Sequence, residues 1–240
     1  MMNGRETQGK RTGVKRTVLL IRHGQTTWNV QHRLPGQLPG IELTATGQEQ
    51  AQRLAEALRS LPLSAIISSP LERAAETARF LARGRDLVIH YEPDLMDIEL
   101  GHWSGQIFDD LDTHDAAWKA FVRNPTVAPL DVETFPALEE RAVAAVERWL
   151  QREAAGDFPA FVAHADVIKL LIAHYTGLEA GRARSLLIDN ASVSVVELKA
   201  GQPPRVRAIG WSPAPAWLVP PMPTPESEEH AAGEQQALQK

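Results

Sequence analysis

Short apolar runs alternate along this chain with longer stretches of helical periodicity. The runs at 17–21, 65–67 and 161–163 are continuous, which is typical of strands buried on both faces of a parallel sheet. A shorter run at 87–90 predicts a further strand. Near the end, apolar and polar residues alternate at 192–198 and 205–211, which predicts two strands that pair antiparallel.

Amphipathic helices are predicted between these strands. One begins at Thr44, whose hydroxyl can cap the first turn, and another follows Ser68-Ser69-Pro70, with Pro70 at its first position. Further helical stretches lie at 115–122, 138–153 and 166–175. Strands that alternate with helices predict an α/β fold, a three-layer α/β/α sandwich with a mostly parallel central sheet. The less regular residues from about 91 to 133 are predicted to form a small cap, inserted after the third strand.

Composition changes at both ends of the predicted domain, which we place at residues 17–218. Residues 1–16 are basic and lack an apolar segment, so we expect a disordered basic leader. Residues 219–240 are rich in Pro, Glu, Gln and Ala, which predicts a disordered tail.

Charge and residue content exclude several classes of function. The formal net charge of −5 makes a nucleic-acid partner unfavourable, because no long basic face is available to displace counterions. The absence of cysteine excludes disulfides, thiol catalysis and thiolate metal sites. Without a signal peptide or an apolar run long enough to span a bilayer, we expect a cytoplasmic protein with no membrane partner. The histidines outside the predicted strand ends show no ligand spacing, so we expect neither a metal nor another cofactor.

Two predicted strands end in histidine, His23 and His164, and Arg22 precedes the first of them. If these strands are neighbours in a parallel sheet, both imidazoles project into one cleft at its carboxyl edge. Arg73 lies early in the helix after Ser68-Ser69-Pro70, so its side chain can reach the same edge. Such a pocket would be electropositive and suited to a tetrahedral dianion such as phosphate, although each of these residues could instead be structural.

Five segments, in order along the chain, resemble the motifs of the histidine phosphatase superfamily, the phosphoglycerate-mutase-like fold. The first contains Arg22-His23-Gly24, and the last contains His164. The five segments are Leu20–Asn29, Leu43–Ala51, Ser68–Ala78, Leu95–Gly105 and Ala163–Lys169. A single Arg-His-Gly would be a weak signal, whereas this ordered series covers nearly the whole predicted domain.

The resemblance implies a role for each matching residue. His23 would be the nucleophile that carries a transient phosphoryl group. Arg22, Arg73 and His164 would bind the equatorial oxygens of that group. The neutral donors of the substrate-binding set would come from the turn after His23 and from the second histidine motif: Thr26, Asn29 and the backbone amide of Ala165.

The general acid is less certain, because two carboxylates lie in the fourth motif. Register relative to Gly101 places the family's acid at Asp97, although the family more often has Glu there. Glu99 is the alternative acid, since positions 97 and 99 share a face if the loop is extended. Two further departures concern loops: Ala165 replaces a common glycine, and Val132-Glu133-Thr134, ahead of Arg141, lacks the glycine of a Gly-Glu-Ser segment.

Three functions are consistent with these residues. The first is a phosphomonoester hydrolase that acts through phosphohistidine on a small phosphorylated metabolite. The second is a cofactor-dependent phosphomutase of the phosphoglycerate type, and the third is a non-catalytic module that binds a phosphorylated ligand. We favour the hydrolase, because the resemblance associates mutases with an extended cap and residues 106–130 are comparatively short. Two copies of the chain could assemble as a homodimer.

The identity of the leaving group is expected to depend on the loop at 31–41 and the cap at 105–132. Aromatic residues in and near these segments could contact it, or could fill a core beneath the cap. They are Trp28, Trp103, Phe108, Trp118 and Phe121.

Overall fold

A computed structural model of the chain describes residues 15–214. Its strands are β1 (Lys15–Arg22), β2 (Ala65–Ser68), β3 (Ile89–Tyr91), β4 (Pro159–Ala163), β5 (Val193–Lys199) and β6 (Arg205–Trp211). They form one six-stranded sheet, with the order β3-β2-β4-β1-β5-β6. The predicted leader and tail lie outside the described residues, except that Lys15 and Arg16 belong to β1 and are not part of a leader.

The central strands β3, β2, β4 and β1 run parallel, whereas β5 is antiparallel to both β1 and β6. In the β1–β4 pair, Arg22 lies opposite Ala163, so the two strands end at the same level of the sheet. The sheet is therefore mostly parallel, with an antiparallel pair at one edge, as the sequence predicts.

Helices follow the strands, and most begin at a residue that caps their first turn. The Thr44 hydroxyl accepts from the amide of Gly47 at the start of the helix Ala45–Ala57, as predicted. The helix after β2 begins at Glu72, so the prediction that Pro70 is its first residue is wrong. The α-helices are α1 (Thr27–Val30), α2 (Ala45–Ala57), α3 (Glu72–Ala82), α4 (Phe108–His114), α5 (Ala116–Arg123), α6 (Phe135–Leu150) and α7 (Ala165–Thr176).

Alternate residues of the central strands pack against different helical layers. Leu19 and Ile21 of β1 share a core cluster with Leu54 of α2 and Leu81 of α3. Val18 and Leu20, which point to the other face, share a cluster with residues of α6 and α7. Both faces of the sheet are thus covered, which explains why these strands are continuously apolar and confirms the three-layer fold.

The cap predicted after the third strand contains α4, α5 and two 3₁₀ helices, Pro93–Leu95 and Gly101–Trp103. Trp103 and Trp118 pack edge to face, with ring centroids 5.1 Å apart, and Phe121 packs against both. All three side chains are buried. These three aromatic residues belong to the core cluster that continues from the sheet and α6 to beneath the cap, which is the second of the two interpretations drawn from the sequence.

Within residues 15–214, the structure contains no helix with the length and apolar character needed to cross a membrane.

Candidate active site

The first and second histidine motifs meet because β1 and β4 are neighbouring parallel strands. The backbone amide of His23 donates to the carbonyl of Ala163 (3.1 Å), which fixes the end of β1 beside the end of β4. The imidazole rings of His23 and His164 lie with their centroids 5.2 Å apart. The sheet therefore brings together two residues separated by most of the chain, at the edge where open α/β sheets bind ligands.

The geometry of His23 leaves one ring nitrogen available. Its Nδ1 lies 2.7 Å from the carbonyl oxygen of Gly24, which can only accept, so Nδ1 carries the proton. The other nitrogen, Nε2, then holds a lone pair, and it has no hydrogen-bond partner among residues 15–214. Burial, followed by the charges of Arg73 and Arg22, lowers the pKa of His23 well below its usual 6.5. A neutral imidazole in this orientation is a competent nucleophile.

His164 is also held as a neutral ring. Arg73 Nε donates to its Nδ1 (3.3 Å), so the proton resides on Nε2, which donates to the hydroxyl of Ser69 (2.9 Å). Burial and the charge of Arg73 lower the pKa of His164 well below 6.5. A bound dianion would oppose both effects, because negative charge favours the imidazolium form.

Arg73 is completely buried at the base of the site. Its Nη2 donates to the carbonyl of Gly36 (2.8 Å) and to Asp97 Oδ2 (3.1 Å). Its Nη1 is buried and has no hydrogen-bond partner in the described part of the chain. A buried guanidinium N–H without an acceptor is costly, so this atom is a built-in donor for an anionic ligand.

Arg22 offers a second guanidinium. Its Nη1 donates to the carbonyl of Ile188 (2.6 Å), while its Nε is buried and unpaired within residues 15–214. Burial lowers the pKa of Arg22, and the carboxylates of Asp97 and Asp166 oppose that shift. The side chain remains a cation, since the ordinary pKa of arginine is far above neutrality.

The structure separates the two candidate acids. Asp97 is buried, with Oδ2 3.6 Å from His164 Nδ1 and 3.1 Å from Arg73 Nη2. Burial raises the pKa of Asp97 above its usual 3.8, and Arg73 works in the opposite direction. The carboxylate of Glu99 instead accepts from the amide of Gly101 (2.9 Å), so it caps its own loop, and within residues 15–214 no hydrogen bond joins it to His23 or His164.

The turn after His23 is organised around Asn29. Its Oδ1 accepts from the Thr26 amide (3.0 Å), the Thr26 hydroxyl (3.1 Å) and Asn190 Nδ2 (3.2 Å). These contacts leave the Nδ2 group of Asn29 to donate elsewhere. The hydroxyl of Thr26 is turned toward Asn29 and caps α1, so the structure gives it a supporting position.

Ala165 is the first residue of α7, directly after His164. Its φ angle is not in the left-handed region, so alanine fits where the family commonly has glycine. The amide of a first helical residue has no intrahelical acceptor, which makes it available to an anion.

Several supporting residues were not found from the sequence. Ser69 holds His164, Asn190 holds both Asn29 and the carbonyl of His23 (3.2 Å), and Thr77 accepts from the amide of Gly24 (3.1 Å). Each acts across a long sequence separation, and none has a local pattern that would mark it. Among the described residues, no group of three or more His, Asp or Glu side chains is placed to hold a metal ion.

Comparison with known proteins defines the class to which this site belongs. The model of the histidine phosphatase superfamily (branch 1) matches residues 18–211. The chain therefore belongs to the histidine phosphatase superfamily, as the sequence motifs predict.

Particular relatives fall into two activity groups. Probable phosphoglycerate mutase GpmB of Salmonella arizonae is 33% identical over 196 residues, which is 81% of this chain and 89% of that protein. A mycobacterial glucosyl-3-phosphoglycerate phosphatase, solved with VO3, is 30% identical with a TM-score of 0.74, over 82% of this chain and 100% of that chain. An alpha-ribazole phosphatase from Shigella flexneri is 29% identical with a TM-score of 0.73, over 81% and 96% of the two chains.

Proposed function

We propose that this protein is a phosphomonoester hydrolase that acts through a phosphohistidine intermediate on a small phosphorylated metabolite. The observation that carries the proposal is the state of His23. Its Nδ1 is fixed on the carbonyl of Gly24 and its Nε2 has a lone pair, in a pocket that also contains the buried guanidinium of Arg73, the half-buried guanidinium of Arg22 and a second imidazole.

In the first step, Nε2 of His23 attacks phosphorus, forms a P–N bond and breaks the bond to the ester oxygen. Arg22, Arg73 and His164 surround the transferring group, and the unpaired N–H groups of the two arginines offset the repulsion that an anionic transition state would otherwise meet. The amide of Ala165 and the side-chain amide of Asn29 add neutral donors. The nucleophile needs no deprotonation, because burial already keeps the pKa of His23 low.

Asp97 transfers a proton in each of the two steps. As a carboxylic acid it donates to the leaving alkoxide, and as a carboxylate it then accepts a proton from the water that attacks phosphohistidine. Water forms the new P–O bond, the P–N bond breaks, and His23 and phosphate are released. Burial, which raises the pKa of Asp97, favours the protonated form needed first. A bound dianion would raise that pKa further.

The short helices of the cap and the activities named for similar structures support the proposed substrate class, a small phosphorylated metabolite. The cap contains only two short α-helices among the described residues, α4 and α5, and its aromatic residues pack on one another. The similar structures include a glucosyl-3-phosphoglycerate phosphatase and an alpha-ribazole phosphatase, whose names denote phosphorylated small molecules as substrates.

A release assay over a panel of phosphorylated metabolites tests the proposal. We expect the wild-type chain to liberate inorganic phosphate from at least one phosphomonoester, and His23→Ala to abolish this release. His174→Ala, at an exposed position near the end of α7, is the matched control and should retain wild-type rates. Wild-type protein that releases no phosphate from any panel member, at concentrations sufficient for a single turnover, would contradict the proposal.

A mutase is the second candidate, because curated relatives at about one-third identity carry the name of probable phosphoglycerate mutase. The distinguishing measurement follows 3-phosphoglycerate by NMR in the presence of the bisphosphorylated form. Formation of 2-phosphoglycerate much faster than release of phosphate would favour the mutase over the hydrolase.

A further inference from the structure

The loop that carries Asp97 is held by a single side chain from helix α6. Arg141 Nη1 donates to the carbonyl oxygens of Asp94 (2.8 Å) and Met96 (2.9 Å), and Nη2 donates to the carbonyl oxygen of Asp97 (2.8 Å). Three carbonyls within four consecutive residues thus converge on one guanidinium. Such backbone groups would otherwise point to water in an irregular loop.

The other side of the same guanidinium is occupied by Glu133. Arg141 Nε donates to Glu133 Oε1 (2.6 Å) and Nη2 donates to Oε2 (2.8 Å), which makes a bidentate pair. Only 19% of the Arg141 side chain and 14% of that of Glu133 are exposed. Together with the three carbonyls, this pair uses all five N–H donors of the guanidinium.

Glu133 also fixes the far end of the loop. Its Oε2 accepts from the amide of Glu99 (3.2 Å), and its own amide donates to the carbonyl of Glu99 (2.8 Å). Gln37 Nε2 adds a second donor to the carbonyl of Asp97 (2.9 Å). The backbone from residue 94 to 99 is therefore held at both ends and in the middle, while the Asp97 side chain points to Arg73 and His164.

From these contacts we infer that Arg141 and Glu133 are positioning residues, which hold the Asp97 carboxyl at its depth and distance in the catalytic pocket. The inference rests on the proposed function, in which Asp97 transfers the proton. Neither residue touches the histidines or the guanidiniums of the pocket through a hydrogen bond. Their hydrogen bonds reach the pocket through the backbone of Asp97. The positive charge of Arg141, which Arg141→Lys keeps, also contributes to the lowered pKa of His164.

Lysine cannot reproduce this arrangement. Its ammonium has three donors and no planar fork, so it cannot bind three carbonyls and two carboxylate oxygens together. In Arg141→Lys, the loop loses part of its support, and the Asp97 carboxyl gains access to water. Positive charge is kept in this variant, so a change in activity reports geometry.

Substrates that differ in leaving group provide the kinetic test. A 4-nitrophenyl phosphate loses a stable phenolate and needs little help from an acid, whereas an alkyl phosphate such as glycerol phosphate needs a proton. We expect Arg141→Lys to lower kcat on the alkyl substrate by about tenfold or more, and to change kcat on the aryl substrate by less than about threefold. Glu133→Gln should act in the same direction. Controls are Arg79→Lys and Glu140→Gln, both at exposed helical positions.

A double-mutant cycle separates positioning from general damage. In the Asp97→Asn background the acid is absent, so adding Arg141→Lys should produce no further loss that depends on the leaving group. Equal losses on both substrates, or a further alkyl-specific loss in the Asp97→Asn background, would overturn the inference.

A measurement without turnover keeps the inference separate from the proposed function. Carbon-13 NMR of the Asp97 carboxyl should show its pKa falling toward the ordinary value in Arg141→Lys, because burial is what raises it. It should stay unchanged in Arg79→Lys. If wild-type protein hydrolyses neither substrate, the proposed function fails, yet an unchanged Asp97 pKa in Arg141→Lys would independently overturn the positioning role.

Discussion

At the residue scale, the guanidinium of Arg73 connects three segments of the site. It contacts Gly36 in the loop after α1, Asp97 in the cap and His164 at the end of β4. Its helical position alone indicated only that it could return to the sheet edge. That it lies between Asp97 and His164 depends on three long-range contacts, which no local pattern encodes.

Which carboxylate acts as the general acid can be tested by substituting single side chains. Asp97→Asn should lower turnover of alkyl phosphates by about a hundredfold, with a much smaller effect on aryl phosphates, because only alkoxides need the proton. Glu99→Gln should leave this ratio nearly unchanged, since its carboxylate caps the loop at Gly101. Steady-state rates on both ester classes measure the ratio. A silent Asp97→Asn with a damaging Glu99→Gln would reverse the assignment.

At the element scale, the loop after β1 is packed directly against the start of α2. The amide of Gln25 donates to Gln50 (2.9 Å), and the carbonyl of Gln25 accepts from the amide of Thr44 (2.9 Å). A Cβ atom on Gly24 would overlap the carbonyl oxygen of Gly47, and a Cβ on Gly47 would overlap that of Gln25. Two glycines therefore set how closely this helix approaches the loop after His23.

Gly47→Ala should consequently push α2 away from Gln25. We expect the free energy of unfolding to fall by about 1–3 kcal/mol, and KM for phosphate esters to rise as the turn after His23 shifts. Urea unfolding and initial rates provide the two measurements. Gly181→Ala is the control, because its Cβ would meet only the Thr126 methyl at an ordinary 3.6 Å. Equal stability of both variants would show that the close approach is not required.

The elements themselves were largely predictable, and their ends were less so. Buried strands such as β1 and β4 are continuously apolar because helices cover both faces of the sheet. The start of α3 was misplaced because the Ser69 hydroxyl, expected near a helix cap, instead accepts from His164 (2.9 Å) and from the amide of Leu71 (3.3 Å). One partner of this hydroxyl lies 95 residues away in the sequence, so no local pattern could show the contact. Helix α4, at Phe108–His114, lacked a periodic pattern strong enough to predict it.

At the scale of the whole molecule, folding must bury two uncharged histidines beside two arginines. The unfolded chain would protonate His23 and His164 near pH 6.5, while in the folded state burial keeps the pKa of each well below that value. The unfolded state then binds more protons as the pH falls, so the folded state loses stability below about pH 6.5. The raised pKa of Asp97 acts in the opposite direction, since the folded state binds its proton more tightly.

The free energy of unfolding should therefore fall between about pH 7 and pH 5.5, with each histidine contributing up to about 1.4 kcal/mol per pH unit. His164→Gln should reduce this slope by up to one proton, whatever its effect on absolute stability. Urea unfolding at several pH values measures the slope, with His114→Gln as the exposed control. A slope in His164→Gln equal to that of the wild type would contradict the prediction.

The unpaired Nη1 of Arg73 also bears on how the proposed reaction ends. The groups that would hold the transferring phosphoryl unit bind its oxygens, and they do not recognise the alcohol attached to it. Orthophosphate presents the same oxygens, so the released product remains a ligand of the site and competes with each incoming ester. In the proposed reaction, turnover would slow as free phosphate accumulates, which makes the enzyme responsive to phosphate supply as well as to its substrate.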